Sequence, residues 1–228
     1  MRVRGVVFDL DGTLVDNMAL HTEAFAGFMG RHGLPPLDEA QRVRLDGKRN
    51  VEIFPVLFGR ELPAEELRAY AEEKEGLYRE LSRGRLAPLA GLGRLLDLLV
   101  SRGLPVAIAT SGPAPNVQHT LLETGLAERF SVVVRGDQVP RGKPFPDIFL
   151  AAAELLGVEP GRCLAFEDSP AGVEAARAAG MSCVAVATSF SAEVFAAAGL
   201  APDHVVADYE SFLDGPGRGL LEAEGIAG

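Results

Sequence analysis

Apolar and polar positions divide the chain into two regimes. From about residue 88 onward, short apolar runs alternate with segments whose apolar residues recur at helical spacing. Leu92–Val100 reads as a helix stopping near Gly103, Val106–Ala109 as a buried strand, Asn116–Leu126 as a helix and Val132–Val134 as a short strand. A helix over Asp147–Leu156 and a strand over Cys163–Phe166 follow. Next come a helix over Ala171–Ala179, closed by Gly180, and a strand over Val184–Ala187. Ala192–Ala198 reads as a helix and His204–Ala207 as a last short strand. Ahead of all these, Val3, Val6, Val7 and Phe8 read as a buried strand that ends at Asp9. Strands alternating with helices imply right-handed crossovers and a parallel sheet.

Residues 17–86 break the rhythm. They are rich in Glu, Arg, Leu and Ala, with proline breaks at Pro35-Pro36 and Pro63, and Glu65–Leu81 reads as one long helix. No strand pattern occurs there. The expected architecture is therefore α/β, with an α/β core domain from residues 1–16 and 87–228. Residues 17–86 are inserted into it as a helical cap domain. The glycine-rich tail after Gly215 is expected to be frayed or loosely packed.

Composition narrows the function. The chain has 228 residues, enough for a full core, and 47% hydrophobic with 24% charged residues is ordinary for a globular protein. A net charge of −10 argues against nonspecific nucleic-acid binding, which needs a basic footprint. Any anionic substrate must then be held by local cations, a metal or backbone N–H groups. Cys163 and Cys183 lie in or beside apolar strand-like runs and read as buried, reduced thiols. No apolar run is long enough to span a bilayer, and Asp9 interrupts the amino-terminal one before it could serve as a signal peptide. A cytoplasmic protein without nucleic-acid or membrane partners is the expectation.

The candidate chemistry starts in FDLDGTLVD, residues 8–16. Asp9 and Asp11 sit two apart at the carboxyl end of a central strand, where alternation points both the same way. Ligands of open α/β sheets bind at that edge. Two carboxylates so close repel unless a cation or a shared proton intervenes, so a metal ion is the economical explanation, with one carboxylate free as nucleophile or acid/base. Three more polar groups fall at the same edge. Thr110-Ser111 closes the strand VAIATS and suits a phosphate oxygen. Lys143, between glycine and proline in RGKPFPDIF, offers a fixed positive charge. Glu167-Asp168 closes CLAFED and completes an oxygen-rich site suited to magnesium. Each piece alone also fits a cap, a turn or a solvated loop; their convergence on one sheet edge does not.

In this order, DxDGT, a strand-end Thr/Ser, a Lys and a strand-end acidic pair, the chain resembles the haloacid dehalogenase-like (HAD) superfamily. FDLDGTLVD, GKPFPDIF and FEDSPAGVEAARAAGM look closest to its β-phosphoglucomutase-like group, which includes many sugar-phosphate phosphatases. The resemblance implies a Rossmann-like parallel sheet core, a helical cap and an aspartyl-phosphate mechanism. In that scheme Asp9 is the nucleophile and Asp11 the acid/base, with a pKa tuned upward in the closed site. Thr110, Lys143 and the backbone around Ser111 hold the phosphoryl oxygens. Asp9, the carbonyl of Asp11 and Asp168 bind Mg²⁺, with Glu167 a direct or water-bridged ligand. His21, Lys48, Arg49, Asn50 and Lys74 are candidate cap contacts, and Lys74 and Tyr78 also resemble the group's cap helix. The function implied is a Mg²⁺-dependent phosphatase of small phosphorylated metabolites, sugar phosphates foremost, acting as a monomer or weak homodimer. The alternative is a β-phosphoglucomutase-type isomerase. Two departures lower it: in LDGKRNVEIF the arginine is two residues after Gly47 and no serine follows, and TSGPAPN lacks the group's Ser-Lys-Asn run.

Overall fold

The computed structural model describes residues 3–221. Six parallel strands form one sheet: β1 (Gly5–Phe8), β2 (Val106–Thr110), β3 (Val132–Arg135), β4 (Cys163–Glu167), β5 (Ser182–Val186) and β6 (His204–Val206). Their spatial order is β3-β2-β1-β4-β5-β6, so β1 lies inside the sheet between β2 and β4. The chain first builds outward from β1 to β3, then crosses to the other side and builds from β4 to β6. That reversal opens a crevice at the carboxyl ends of β1, β2 and β4.

Strands buried on both faces explain why these segments read as unbroken apolar runs. Val6 and Phe8 point to one face, where they meet leucines of α5 (Leu92–Ser101) and Val117 and Leu121 of α6 (Ala114–Glu123). Val7 points to the other, against α7 (Asp147–Leu156), α8 (Pro170–Ala178) and α9 (Ala192–Ala197). Phe8 and Phe166 are register partners and their rings stack at 5.1 Å, which fixes the ends of β1 and β4 just before Asp9 and Glu167. Both cysteines are buried and unpaired.

Between β1 and α5 the chain is helical: α1 (Met18–Arg31), α2 (Glu39–Leu45), α3 (Asn50–Phe58) and α4 (Ala64–Ser82). Within this cap α1 packs along α4, and Phe28, Phe54, Phe58 and Tyr70 form an aromatic cluster. The cap thus has its own small core, separate from the layers flanking the sheet.

Two features depart from the sequence reading. The α6 helix ends at Glu123, three residues before the expected Leu126. The tail after Gly215 begins as ordered structure: α11 (Gly217–Leu221) follows α10 (Tyr209–Asp214), and its Leu221 joins Tyr209 and Phe212 in the core beside the sheet. Burial of Leu221 overrides the local glycine content. The rest of the expected frayed tail, 222–228, lies outside the described residues.

Candidate active site

Asp9 follows β1 and its backbone N–H donates to the Phe166 carbonyl at 2.9 Å, so β4 sets its position. The next turn is forced by Gly12. Its φ is +76°, and a Cβ there would fall 2.0 Å from an Asp168 carboxylate oxygen. Only glycine lets the Asp9–Thr13 loop close against Asp168. Asp168 also accepts hydrogen bonds from Thr13 Oγ1 and Ser189 Oγ.

Lys143 is 1% exposed and donates to Asp9 Oδ1 and Glu167 Oε1, both at 2.5 Å. Burial pushes its pKa down, but the two carboxylates more than offset this and hold the ammonium charged. The other Glu167 oxygen accepts from Asp168 N–H (2.8 Å), Ser169 N–H (2.9 Å) and Ser169 Oγ (3.0 Å). Room for this carboxylate at the start of α8 comes from Gly172, where a Cβ would lie 1.7 Å from Oε1. Glu167 was a candidate metal ligand in the sequence; here both its oxygens are already engaged, and it braces Lys143.

Burial, with the charge of neighbouring carboxylates, drives Asp9 and Asp168 well above the usual carboxylate range, against the opposing pull of Lys143. A divalent cation would relieve that crowding. Among the described residues no three side chains of His, Cys, Asp or Glu form a metal cluster. A site here therefore needs backbone or substrate oxygens besides Asp9 and Asp168, a donor set of oxygens that fits Mg²⁺.

Asp11 differs from expectation. Burial pushes its pKa up, but His21, Asn17 and more distant Lys74 outweigh burial and hold the group below its ordinary value. Asn17 Nδ2 donates to Asp11 Oδ1 at 2.6 Å, while Asn17 Oδ1 accepts from Gly12 N–H at 3.0 Å. His21 stacks on Tyr78 at 3.7 Å. Its Nδ1 lies 3.0 Å from Lys74 Nζ, a donor only, so the ring proton belongs on Nε2, which faces Asp11 Oδ1 at 3.5 Å.

These groups open into a cavity of about 170 Å³ beneath the cap. Of the candidates, Asp9, Asp11, His21, Lys48, Asn50, Lys74, Thr110, Ser111 and Asp168 line it. Thr110 Oγ1 accepts from Gly112 N–H at 3.0 Å, whereas Ser111 Oγ donates to the cap carbonyl of Gly47 at 2.6 Å. The Ser111 hydroxyl is thus committed to the cap.

Arg49, a candidate substrate contact, is absent from the lining. Its guanidinium reaches out of the cap to the core, donating to the carbonyls of Gly136 (3.1 Å) and Val139 (3.2 Å), with Glu52 braced behind it at 2.7 Å. It clamps cap to core. Sequence reasoning also missed Glu75 and Asn116, which meet in the cavity wall: Asn116 Nδ2 donates to Glu75 Oε2 at 2.6 Å. Glu75 stands in AEEKEG, where nothing local distinguishes it from its solvated neighbours.

A parallel sheet with a lysine bridging two strand-end carboxylates beneath a helical cap defines a class, and comparison with known proteins assigns it. Residues 3–180 match the family described as haloacid dehalogenase-like hydrolase. The chain belongs to this family, and its enzymatic class is that of the phosphoric monoester hydrolases. It is 33% identical over 187 residues to the fructose-1-phosphate phosphatase YqaB of Escherichia coli, covering 81% of this chain and 97% of that one. It is 36% identical over 188 residues to hexitol phosphatase A of the same organism, covering 82% of this chain and 84% of that one. A family IA, variant 3 HAD hydrolase from Entamoeba histolytica superposes with a TM-score of 0.79 at 30% identity, covering 92% of this chain and 94% of that one.

Proposed function

We propose that the enzyme hydrolyses monophosphate esters of small carbohydrates with Mg²⁺, through a phosphorylated Asp9. The observation that carries this reading is Lys143, buried and charged between Asp9 and Glu167 at the edge where Asp11, Thr110 and Asp168 converge. The names of the two Escherichia coli relatives, a fructose-1-phosphate and a hexitol phosphatase, support a carbohydrate ester as substrate.

Asp9 attacks phosphorus and the bond to the leaving oxygen breaks. Asp11 gives its proton to that oxygen. In the resting site Asp11 is held ionised, so it takes up this proton from solvent as the anionic ester arrives and opposes its charge, and it returns one to solvent when the cycle closes. Asp11 then removes a proton from water, which attacks the acyl phosphate and returns Asp9 with release of phosphate. Lys143 and Thr110 steady the phosphoryl oxygens as charge shifts among them. Asp9, Asp168 and the Asp11 carbonyl would hold Mg²⁺, whose charge offsets the repulsion between nucleophile and ester. His21 and Asn17 keep the Asp11 carboxylate aimed. The Arg49 clamp works against a mutase, because it removes from the cavity the cation best suited to grip a second phosphate.

The test is phosphate release from a panel of hexose, pentose and hexitol monophosphates, with Mg²⁺ and with excess chelator. Release should need the metal and fall by at least about a thousandfold in Asp9→Asn, whose thermal melt should match wild type. Full activity in chelator, or more than a few per cent in a deamidation-free Asp9→Asn protein, would overturn the reading.

A further inference from the structure

The cavity wall beyond the phosphoryl end has three cations: Arg42, Lys48 and Lys74. Arg42 is paired with Asp46 at 3.2 Å. Lys74 is paired with Glu75 at 3.0 Å, and its ammonium also lies over the Phe25 ring at 4.2 Å. Only Lys48 has no carboxylate within ion-pair distance among the described residues. Glu75 is itself 4% exposed and collects three donors: Lys74 Nζ, Asn50 Nδ2 at 2.8 Å and Asn116 Nδ2 at 2.6 Å. Much of the remaining wall is apolar, with Phe25, Met29, Leu37, Leu45 and Ile53 facing the space.

We propose that Glu75 is a specificity-determining residue which cancels the charge of Lys74 and so restricts the enzyme to monophosphates of uncharged alcohols. The proposal rests on the phosphatase reading and deepens it. A second phosphate or a carboxylate on the alcohol would enter a desolvated wall that already holds Glu75 and has one free ammonium. A phosphate dianion set against a single ammonium and beside a carboxylate is left undercompensated once desolvated, which is disfavoured. A hydroxyl meets no such barrier: it can donate to Glu75 or accept from the amides that Glu75 orients, Asn50 and Asn116. The apolar residues then cover the carbon skeleton. The result is selection by exclusion, an undercompensated charge set against the wrong ligand.

The experiment takes the best hexose monophosphate of the panel and its 1,6-bisphosphate. It measures kcat and KM for both with wild type, Glu75→Gln and Lys74→Met. Wild type should prefer the monophosphate by at least about thirtyfold in kcat/KM, as expected for an uncompensated charge in a closed site. Glu75→Gln frees Lys74 and should narrow that gap by roughly tenfold or more, chiefly through KM for the bisphosphate. Lys74→Met should widen it. The ratio isolates charge selection from cap closure: Glu75 and Asn116 also join cap to core, and a looser cap weakens both substrates alike. Equal use of the two esters by wild type, or an unchanged ratio in a folded Glu75→Gln protein, overturns the inference and leaves the phosphatase reading intact. Should Glu75→Gln fail to fold, the wild-type ratio and Lys74→Met decide. No phosphate release from any ester in the panel overturns both.

Discussion

Arg49→Ala offers the sharpest test of how the cap works. The guanidinium joins the cap to the Gly136 and Val139 carbonyls of the core. Glu52 fixes its orientation twice over, through the side chain at 2.7 Å and through the Arg49 backbone N–H at 3.0 Å. Alongside it, Ser111 Oγ holds the Gly47 carbonyl. A hydrogen bond from a charged donor contributes about 1.5–3 kcal/mol. The Arg49 side chain is 17% exposed, so water recovers part of this. Losing both carbonyl contacts should cost the closed state about 2 kcal/mol, or roughly thirtyfold in the open–closed equilibrium.

The expected outcome is a rise in KM for every monophosphate, with a smaller change in kcat, since the closed complex once formed has all its catalytic groups. Limited proteolysis in the loops flanking α2 should quicken in step. Arg49→Lys should recover little, because one ammonium cannot replace a fork that spans two carbonyls and Glu52. Wild-type kcat/KM together with wild-type protease resistance in Arg49→Ala would refute the clamp. So would a defect confined to bisphosphates, which would return Arg49 to the substrate.

Two further expectations follow from the same geometry. Glu167→Gln leaves Lys143 with one carboxylate in a buried site; breaking such a pair costs about 3–5 kcal/mol, so a lowered Tm should accompany loss of activity, and an unchanged melt with wild-type turnover would show that Glu167 does not brace the lysine. Given β-glucose 1-phosphate and catalytic glucose 1,6-bisphosphate, the enzyme should release free phosphate faster than it forms glucose 6-phosphate, followed by coupled assay; the reverse order would make it a mutase.

The core was legible because its signal is redundant. Strands buried on both faces must be apolar throughout, and Phe8 and Phe166 announce where each ends, immediately before Asp9 and Glu167. The helical cap was legible from the absence of such runs. Side-chain direction was not. Glu167 closes β4 in the sequence either way; that its carboxylate folds back onto two N–H groups depends on Gly172, five residues later. Likewise Lys74 and Glu75 look like any pair in the charged helix α4, and become buried only because α1, α3 and α6 pack over them. For α10 and α11, helices of 6 and 5 residues are too short for a periodic pattern to develop.

The same limit explains why a cation count in the sequence overstates the cap's attraction for anions. Lys48, Arg49 and Lys74 stand together as a basic group in an acidic chain. Folding disposes of two of them: core carbonyls and Glu52 engage Arg49, and Glu75 neutralises Lys74. Only the phosphoryl end keeps a buried lysine paired with Asp9, the proposed nucleophile. The lysine that reaches Asp9 and Glu167 marks one end of the cavity as the place for a phosphate. An ester with one phosphate has one way to lie there. A bisphosphate would have two orientations, and a mutase needs both. Retaining both requires a second cationic pole, and in this chain Arg49 serves as a clamp and Lys74 as half of an ion pair, which leaves that pole to Lys48 alone.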